Sequence, residues 1–451
     1  MPASSEKYFP VKRTSAIDLF DILSTETSLR SGPPGQAVRT GPPGQARPAE
    51  PFGRAVRTGL RTDELQIHGE RVPRFTAEFW TPRQRQASSL HEISYRACFK
   101  PQLPRFFVDR LTVAGDLVYD PFMGRGTTLI EAALLRRRVI GNDINPLSRI
   151  LTEPRFNVPY VEEIVERMDR IGFMAKARAA IDLSMFYHPK TIAEIVSLQQ
   201  YLRRRKATGR EDHIDRWIRM VATNRLTGHS SGFFSVYTLP PNQAATPQNQ
   251  RKINRKRRQT PAYRDVKELI LKKSRSLLRN LSDQQRRNLI SAGRRAKLLT
   301  GDAWCTRSIH DDSIQLTVTS PPFLDIVNYA QDNWLRCWFN GINHETIGEK
   351  LTVVRSLEAW RETIGQTFRE LHRITRPGGY VAFEVGEIRR RNLRLDEVVV
   401  PLGIDAGFAC MGILINQQRF TKTSNIWGIR NNRSGTNTNR IVLFKKPSHL
   451  K

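Results

Sequence analysis

Between residues 117 and 143 the chain reads L-V-Y-D, P-F-M-G-R-G, T-T-L-I-E-A-A-L-L, R-R-R and V-I-G-N-D. The first and last pieces have the short aliphatic, β-branched character of buried strands, and the third has the composition and length of a helix. Two strands joined through one helix by short connections lie parallel, and a parallel sheet needs helices on both faces. This segment therefore predicts an α/β protein on a doubly wound, Rossmann-like sheet. The pattern resumes at Lys297 with L-L-T-G-D and continues with I-Q-L-T-V at 314–318. An amphipathic helix follows, with Leu357, Trp360, Ile364, Phe368, Leu371 and Ile374 at spacings of three and four. A turn at Pro377-Gly378-Gly379 then leads into the strand Y-V-A-F-E-V.

About 140 residues of mainly helical pattern separate the two α/β stretches, for example T-I-A-E-I-V-S-L-Q-Q-Y-L from Thr191. The chain is thus expected to hold four parts: 1–70, 71–154, 155–296 and 297–451. The second and fourth form one domain interrupted by a helical, basic insert, the third. In the first part G-P-P-G-Q-A occurs at Gly32 and Gly41, and A-V-R-T-G at Ala37 and Ala55. Residues 31–60 are rich in Gly, Pro and Arg and poor in aliphatics, and 1–70 as a whole reads as a disordered basic segment.

The formal net charge of +30 points to a polyanionic partner, because each phosphate neutralised releases counterions. Residues 251–300 hold 17 Lys and Arg against 3 Asp and Glu, a net of +14. The densest run supplies Arg251, Lys252, Arg255, Lys256, Arg257 and Arg258 as candidate phosphate contacts. Just before it, G-H-S-S-G-F-F-S-V-Y-T-L-P-P-N at 228–242 suits a loop near a splayed base. Phe233, Phe234 and Tyr237 in it nevertheless read slightly more readily as core. His229 reads as a polar loop residue, and His188, before Pro189, as a helix start. The four cysteines, Cys98, Cys305, Cys337 and Cys410, have no C-x-x-C spacing, so no metal site is expected. Neither a signal-peptide core nor a run approaching a membrane span is visible, which fits a cytoplasmic protein.

Chemistry-bearing residues stand at successive strand ends. D-P-F-M-G-R-G-T-T at 120–128 places Gly124 and Gly126 where a Cβ would block a ligand lying against the backbone. Thr128 and Glu131 have the spacing of a capping box. Asp143 ends the next strand, 17 residues after Gly126, where an acid can accept from a ribose diol. Asp302 ends L-L-T-G-D, and Ser320-Pro321-Pro322-Phe323 ends the strand after it. Two successive prolines stop strand and helix alike, so they make a rigid bracket around one hydroxyl, a carbonyl and a ring. Ligands of doubly wound sheets bind at the carboxyl ends of strands, so these sites should converge on one crevice.

In this order, D-P-F-M-G-R-G-T-T, G-N-D, G-D-A and T-S-P-P-F resemble the S-adenosylmethionine-dependent amino-methyltransferases of DNA. F-K-P-Q-L-P at 99–104, R-P-G-G-Y at 376–380 and N-T-N-R-I-V-L-F-K-K at 437–446 resemble further elements of that family. The resemblance implies that Asp120, Pro121, Phe122, Gly124, Gly126 and Thr127 cradle S-adenosylmethionine, with Asp143 at its ribose and Asp302 at its adenine. Ser320 and the Pro321 carbonyl would accept from the target amino group, Pro322 would hold the bracket, and Phe323 would stack on a flipped base. Serine in the first position of the tetrapeptide goes mostly with the 4-amino group of cytosine. Phe323 in place of the commoner tyrosine, and the glycine motif preceding S-P-P-F, leave the subclass open. Adenine N6 in DNA, guanine in tRNA and a non-catalytic nucleic-acid-binding protein are the alternatives. Double-stranded DNA is the expected partner ahead of RNA, and a cognate restriction nuclease is a further partner such an enzyme could have. None of the cysteines follows a proline, which argues against methylation at carbon 5.

Overall fold

The computed structural model describes residues 60–80, 87–96, 98–241, 243–322, 329–351, 356–388, 393–417 and 438–448. The expected β-α-β unit consists of β3 (Leu117–Asp120), α2 (Thr127–Leu134) and β4 (Arg138–Asp143), with β3 and β4 parallel. Strand β5 (Lys297–Thr300) pairs in parallel with the outer edge of β4. On the other side of β3 lie β6 (Ile314–Thr319), parallel to β3, and β7 (Thr375–Val385), parallel to β6. Strand β9 (Thr438–Lys445) runs antiparallel to β7, and β8 (Ala409–Gln417) antiparallel to β9. A hairpin, β1 (Arg61–Ile67) and β2 (Glu70–Ala77), extends the sheet through β2, parallel to β8. The sheet order is therefore β1-β2-β8-β9-β7-β6-β3-β4-β5. The order reverses between β3 and β6, and there a doubly wound sheet opens a crevice at its carboxyl edge.

Two local readings change. The first ten residues of the hairpin lie inside the stretch expected to be a disordered segment. Strand β1, R-T-D-E-L-Q-I, sits at the sheet edge and is almost wholly exposed, which is why its composition reads as polar linker. The Pro377-Gly378-Gly379 turn does not precede β7 but lies within it. Gly378 has φ +76°, and a Cβ on Gly379 would meet the backbone oxygens of Arg376 at 2.9 Å and Ile314 at 3.0 Å. The pairing of β6 with β7 shifts register at that point.

Helices cover both faces. On one, α13 (Leu357–Ile374) and α14 (Leu395–Asp405) bury the apolar stripe read from the sequence. Phe368 stacks there against Phe383 and Phe444, with ring centroids 4.9 and 5.2 Å apart. On the other lie α1 (Gln102–Leu111), α2 and the short α3 (Leu147–Thr152). The insert supplies α4 (Val161–Asp169), α5 (Pro189–Ala207), α6 (His213–Arg225), α7 (Pro247–Arg257), α8 (Val266–Leu278) and α9 (Asp283–Gly293). After the bracket come α10 (Tyr329–Asp332), α11 (Trp334–Asn340) and α12 (His344–Leu351). His188 caps α5 by accepting from the Lys190 amide. The insert has no separate core: Trp217, Ile218 and Leu277 belong to the same apolar cluster as Phe107, Leu129 and Val318 of the sheet domain. No described helix is long and apolar enough to cross a membrane.

Gly141 in β4 shows how tightly the glycine loop is seated. A Cβ there would lie 2.4 Å from Leu129 Cδ1 and 2.6 Å from Met123 Sδ. Gly141→Ala is expected to destabilise the fold by about 1–3 kcal/mol through overpacking, read as a lowered midpoint in urea unfolding.

Candidate active site at the carboxyl edge of the sheet

The crevice is built around a seam between β3 and β6. Asp120, the last residue of β3, is buried and accepts a 2.7 Å hydrogen bond from the Thr319 hydroxyl. The hydroxyl of Thr128, the second residue of the helix after the glycine loop, donates to the Val318 carbonyl at 3.0 Å. Thr128 therefore does not cap its own helix, as its spacing from Glu131 predicted. Gly126 takes the cap position with no side-chain bond, and Glu131 meets buried His91 Nε2 at 2.6 Å. A partner on the neighbouring strand displaces the local one.

The loop from Pro121 to Gly126 is held from several sides. The Phe122 amide donates to Asp120 Oδ1 at 3.1 Å, and the Pro121 carbonyl accepts from Asn142 Nδ2 at 3.3 Å. Phe122 itself is half-buried, and Thr127 is buried, its hydroxyl oxygen accepting from Arg125 Nε at 3.2 Å. The two glycines have different reasons to be glycine. Gly124, at φ +50°, donates its N–H to Asp143 Oδ2 at 2.8 Å, and a Cβ there would only touch Cys98 and the Tyr95 ring at 3.6 Å. Gly126, at φ +71°, lies where a Cβ would come 2.4 Å from Thr152 Oγ1. At Gly126 a packed side chain is by itself enough to demand glycine.

Asp143 ends β4 with both carboxylate oxygens engaged by backbone amides, Gly124 on one and Asn145 at 2.8 Å on the other. Burial pushes its pKa upward, against the pull of those two amides. Asp302 stands two residues past β5 and is exposed. Ser320 follows β6 directly and is half-buried, with Pro321 buried behind it. The bracket is pinned from α13: the Trp360 indole N–H donates to the Pro322 carbonyl at 3.1 Å. Phe323 lies outside the described residues.

Two participants escaped the sequence reading, Trp360 and Glu384. Thr319 pairs with Phe383, so Ser320 faces Glu384 across the β6–β7 ladder, and the serine hydroxyl donates to that carboxylate. Asn439 of β9 donates to Glu384 from the other side. Burial pushes the Glu384 carboxyl upward against both donors. The one available signal was a lone acid in the otherwise apolar Y-V-A-F-E-V.

The basic run forms α7 and its C-cap. Gln250, Ile253 and Asn254 face inward, Asn254 donating to the Met185 carbonyl at 2.7 Å. Arg251, Lys252, Arg255, Lys256, Arg257 and Arg258 are exposed, and Arg251 is paired with Asp182 at 2.7 Å. Phe233 and Phe234 are buried, while Tyr237 is 39% exposed and departs from the core reading.

Asp120 carries the clearest titration signature of the crevice. Burial raises its pKa to about 7, with Thr319 and the Phe122 amide opposing. The folded state thus holds this proton more tightly than the unfolded state, so the contribution is full below pH 4 and lost as pH rises through about 7. The stability difference between wild type and Asp120→Asn should fall by up to about 4 kcal/mol from pH 4 to pH 7 in urea titrations. A flat difference would mean the carboxyl is already ionised at pH 4.

Residues 60–149, from the edge hairpin through β4 and into α3, match the model of a family described as DNA methylase, the N6/N4 type. A type II methyltransferase of Methanocaldococcus jannaschii, M.MjaII, is 41% identical over 59 residues, which cover 13% of this chain and 11% of that protein. M.BsoBI, a type II methyltransferase of Geobacillus stearothermophilus, is 31% identical over 114 residues, 25% of this chain and 22% of that one. A tRNA (guanine(10)-N2)-dimethyltransferase of M. jannaschii is 30% identical over 102 residues, 19% of this chain and 29% of that one. The chain thus spans less than a third of the length of each of these relatives.

Proposed function

On the match of residues 60–149 to the N6/N4 DNA methylase model, we propose a DNA amino-methyltransferase that uses S-adenosylmethionine and acts on the N4 amino group of cytosine. The observation that carries this reading is the seam. Asp120 at the foot of the glycine loop and Thr319 beside Ser320 are hydrogen-bonded at 2.7 Å, so the loop and the S-P-P bracket open onto the same crevice.

The residues fit the cofactor on their own chemistry. Gly124 holds its loop against Asp143 through its own N–H, leaving a turn without a side chain beside an acid at a strand end. Asp143 would accept from the ribose, and exposed Asp302 from the adenine amino group. The cofactor supplies an electrophilic methyl group on a sulfonium. The chain's part is to aim a nucleophile at it. Ser320 gives its only proton to Glu384, so its oxygen presents lone pairs alone. Together with the Pro321 carbonyl it would accept from both hydrogens of an exocyclic amine. That draws the nitrogen out of conjugation and orients it, a proximity effect needing no covalent intermediate. Trp360 keeps the bracket from yielding. A base inside a duplex cannot reach such a pocket, so the target would be flipped, with Phe323 as the stacking ring.

The basic face of α7 supports a polyanionic substrate, and DNA follows from the family. The serine that opens S-P-P favours cytosine over adenine. The likeness to the tRNA dimethyltransferase favours one second reading, amino-methylation of guanine in RNA.

The decisive assay follows labelled methyl from S-adenosylmethionine into duplex DNA and, in parallel, tRNA, with nucleoside mass spectrometry of each. Wild type should yield 4-methylcytosine in DNA, and Ser320→Ala should lower the rate at least about a hundredfold with cofactor binding retained. Labelled adenine would keep the mechanism and change the base. Label on tRNA guanine alone would replace the substrate, and no label on either polymer would overturn the enzyme reading.

A further inference from the structure

We propose that Tyr237, Arg257 and His229 form a stacking platform on the insert for a nucleobase that has left its helical stack. This platform presupposes the nucleic-acid-methylating reading above and adds to it a base contact outside the target pocket. Tyr237 is 39% exposed, yet its loop is fixed at every step. The Phe234 amide donates to the Arg225 carbonyl and the Val236 amide to the Phe186 carbonyl, both at 2.9 Å. Tyr237 bridges to Gly228, and its own carbonyl accepts from Gln250 at 3.0 Å and Gln259 at 2.8 Å. A phenol ring on so constrained a backbone loses little freedom when something stacks on it.

The surroundings of the ring are planar and cationic. The Arg257 guanidinium carbon lies 3.7 Å from the ring centroid, and His229 meets the ring edge-on, with centroids 6.4 Å apart at 71°. Arg257 is itself exposed, so a base can extend the stack from the guanidinium plane.

Electrostatics separate this tyrosine from two others of the insert that also carry a cation. Lys190 lies 4.1 Å over Tyr263, but the carboxylates of Glu194 and Asp265 accept from that phenol. Arg286 lies 4.4 Å over Tyr160, at the head of a helix whose first turn holds Glu162 and Glu163. A polyanion is repelled at both places. Beside Tyr237, α7 presents Lys252, Arg255 and Lys256 to solvent.

The platform's loop is also tied to the segment that follows the bracket. Seven residues after Tyr237, the Ala244 amide donates to the Asp332 carbonyl at 2.9 Å, at the end of the first helix after the bracket. Seven residues extend at most about 25 Å, so Tyr237 lies within roughly that distance of Asp332.

Stacking and phosphate contacts differ in salt dependence, which gives the test. Binding of the full chain to a fluorescein-labelled duplex with one unpaired base would be measured across a salt series. Tyr237→Ala is expected to weaken binding about tenfold at every salt concentration with an unchanged slope of log Kd against log salt, and Tyr237→Phe to restore it. Lys252→Ala is expected to reduce that slope by about 1. Circular dichroism would confirm that the exposed substitutions leave the fold intact. Tyr237→Ala binding as tightly as wild type, or weakening only through a changed slope, would overturn the platform. If that happens while wild type still methylates the duplex, the platform alone falls. A wild type that binds no nucleic acid at any salt concentration would remove both readings.

Discussion

Asp120 and Thr319 are 199 residues apart in sequence, Thr128 and Val318 are 190 apart, and their bonds tie together the two strand exits at the switch point of the sheet. The two bonds sit where the strand order reverses. On one side the chain leaves β3 into a glycine loop; on the other it leaves β6 into a proline bracket. Both exits point the same way because the strands are parallel. Neighbouring strands lie about 4.8 Å apart, so the two exits are close by construction. A buried carboxyl at this point carries a desolvation cost, which the Thr319 hydroxyl and the Phe122 amide only partly offset. A network that pays for a buried polar group in this way favours one arrangement of its neighbours over others.

The periodic parts of the fold were legible because each reports on itself. The strand β6 is buried at all six positions and reads as an apolar run, and α13 shows its stripe at spacings of three and four. Edge strand β1 was not legible, since a strand with one paired side and a solvated face carries no apolar signal. The acids and glycines were legible as residues at or just past strand ends, but the packing of Thr152 against Gly126 was not. Thr128 was misread because a capping spacing says nothing about a carbonyl on another strand. Glu384 was missed for the same reason, as its partner Ser320 is defined by strand register and not by any spacing along the chain.

The insert combines two kinds of affinity on one surface. The outward residues of α7 offer charge, which acts over roughly a Debye length and fades with salt. Tyr237 offers a plane, which acts only on contact. The first kind would bring a polymer near, and the second would distinguish a base that has been pulled from its stack. Gln250 links the two, since it belongs to α7 and donates to the Tyr237 carbonyl.

The continuity of the apolar cluster through α1, α2, α6, α8 and β6 bears on how the molecule is made. A ribosome adding about 5–20 residues per second takes roughly 10–40 s to travel from Asp120 to Thr319. For most of that interval β3 and β4 have been synthesised and β6 has not. The residues synthesised in the meantime are largely those of the insert. Trp217, Ile218 and Leu277 can therefore settle against Leu129 and Phe107 before the sheet is complete. A segment packed into this cluster would thus also cover part of the unfinished sheet during synthesis. Replacing it with a foreign segment would change how the chain survives its own production as well as what it binds.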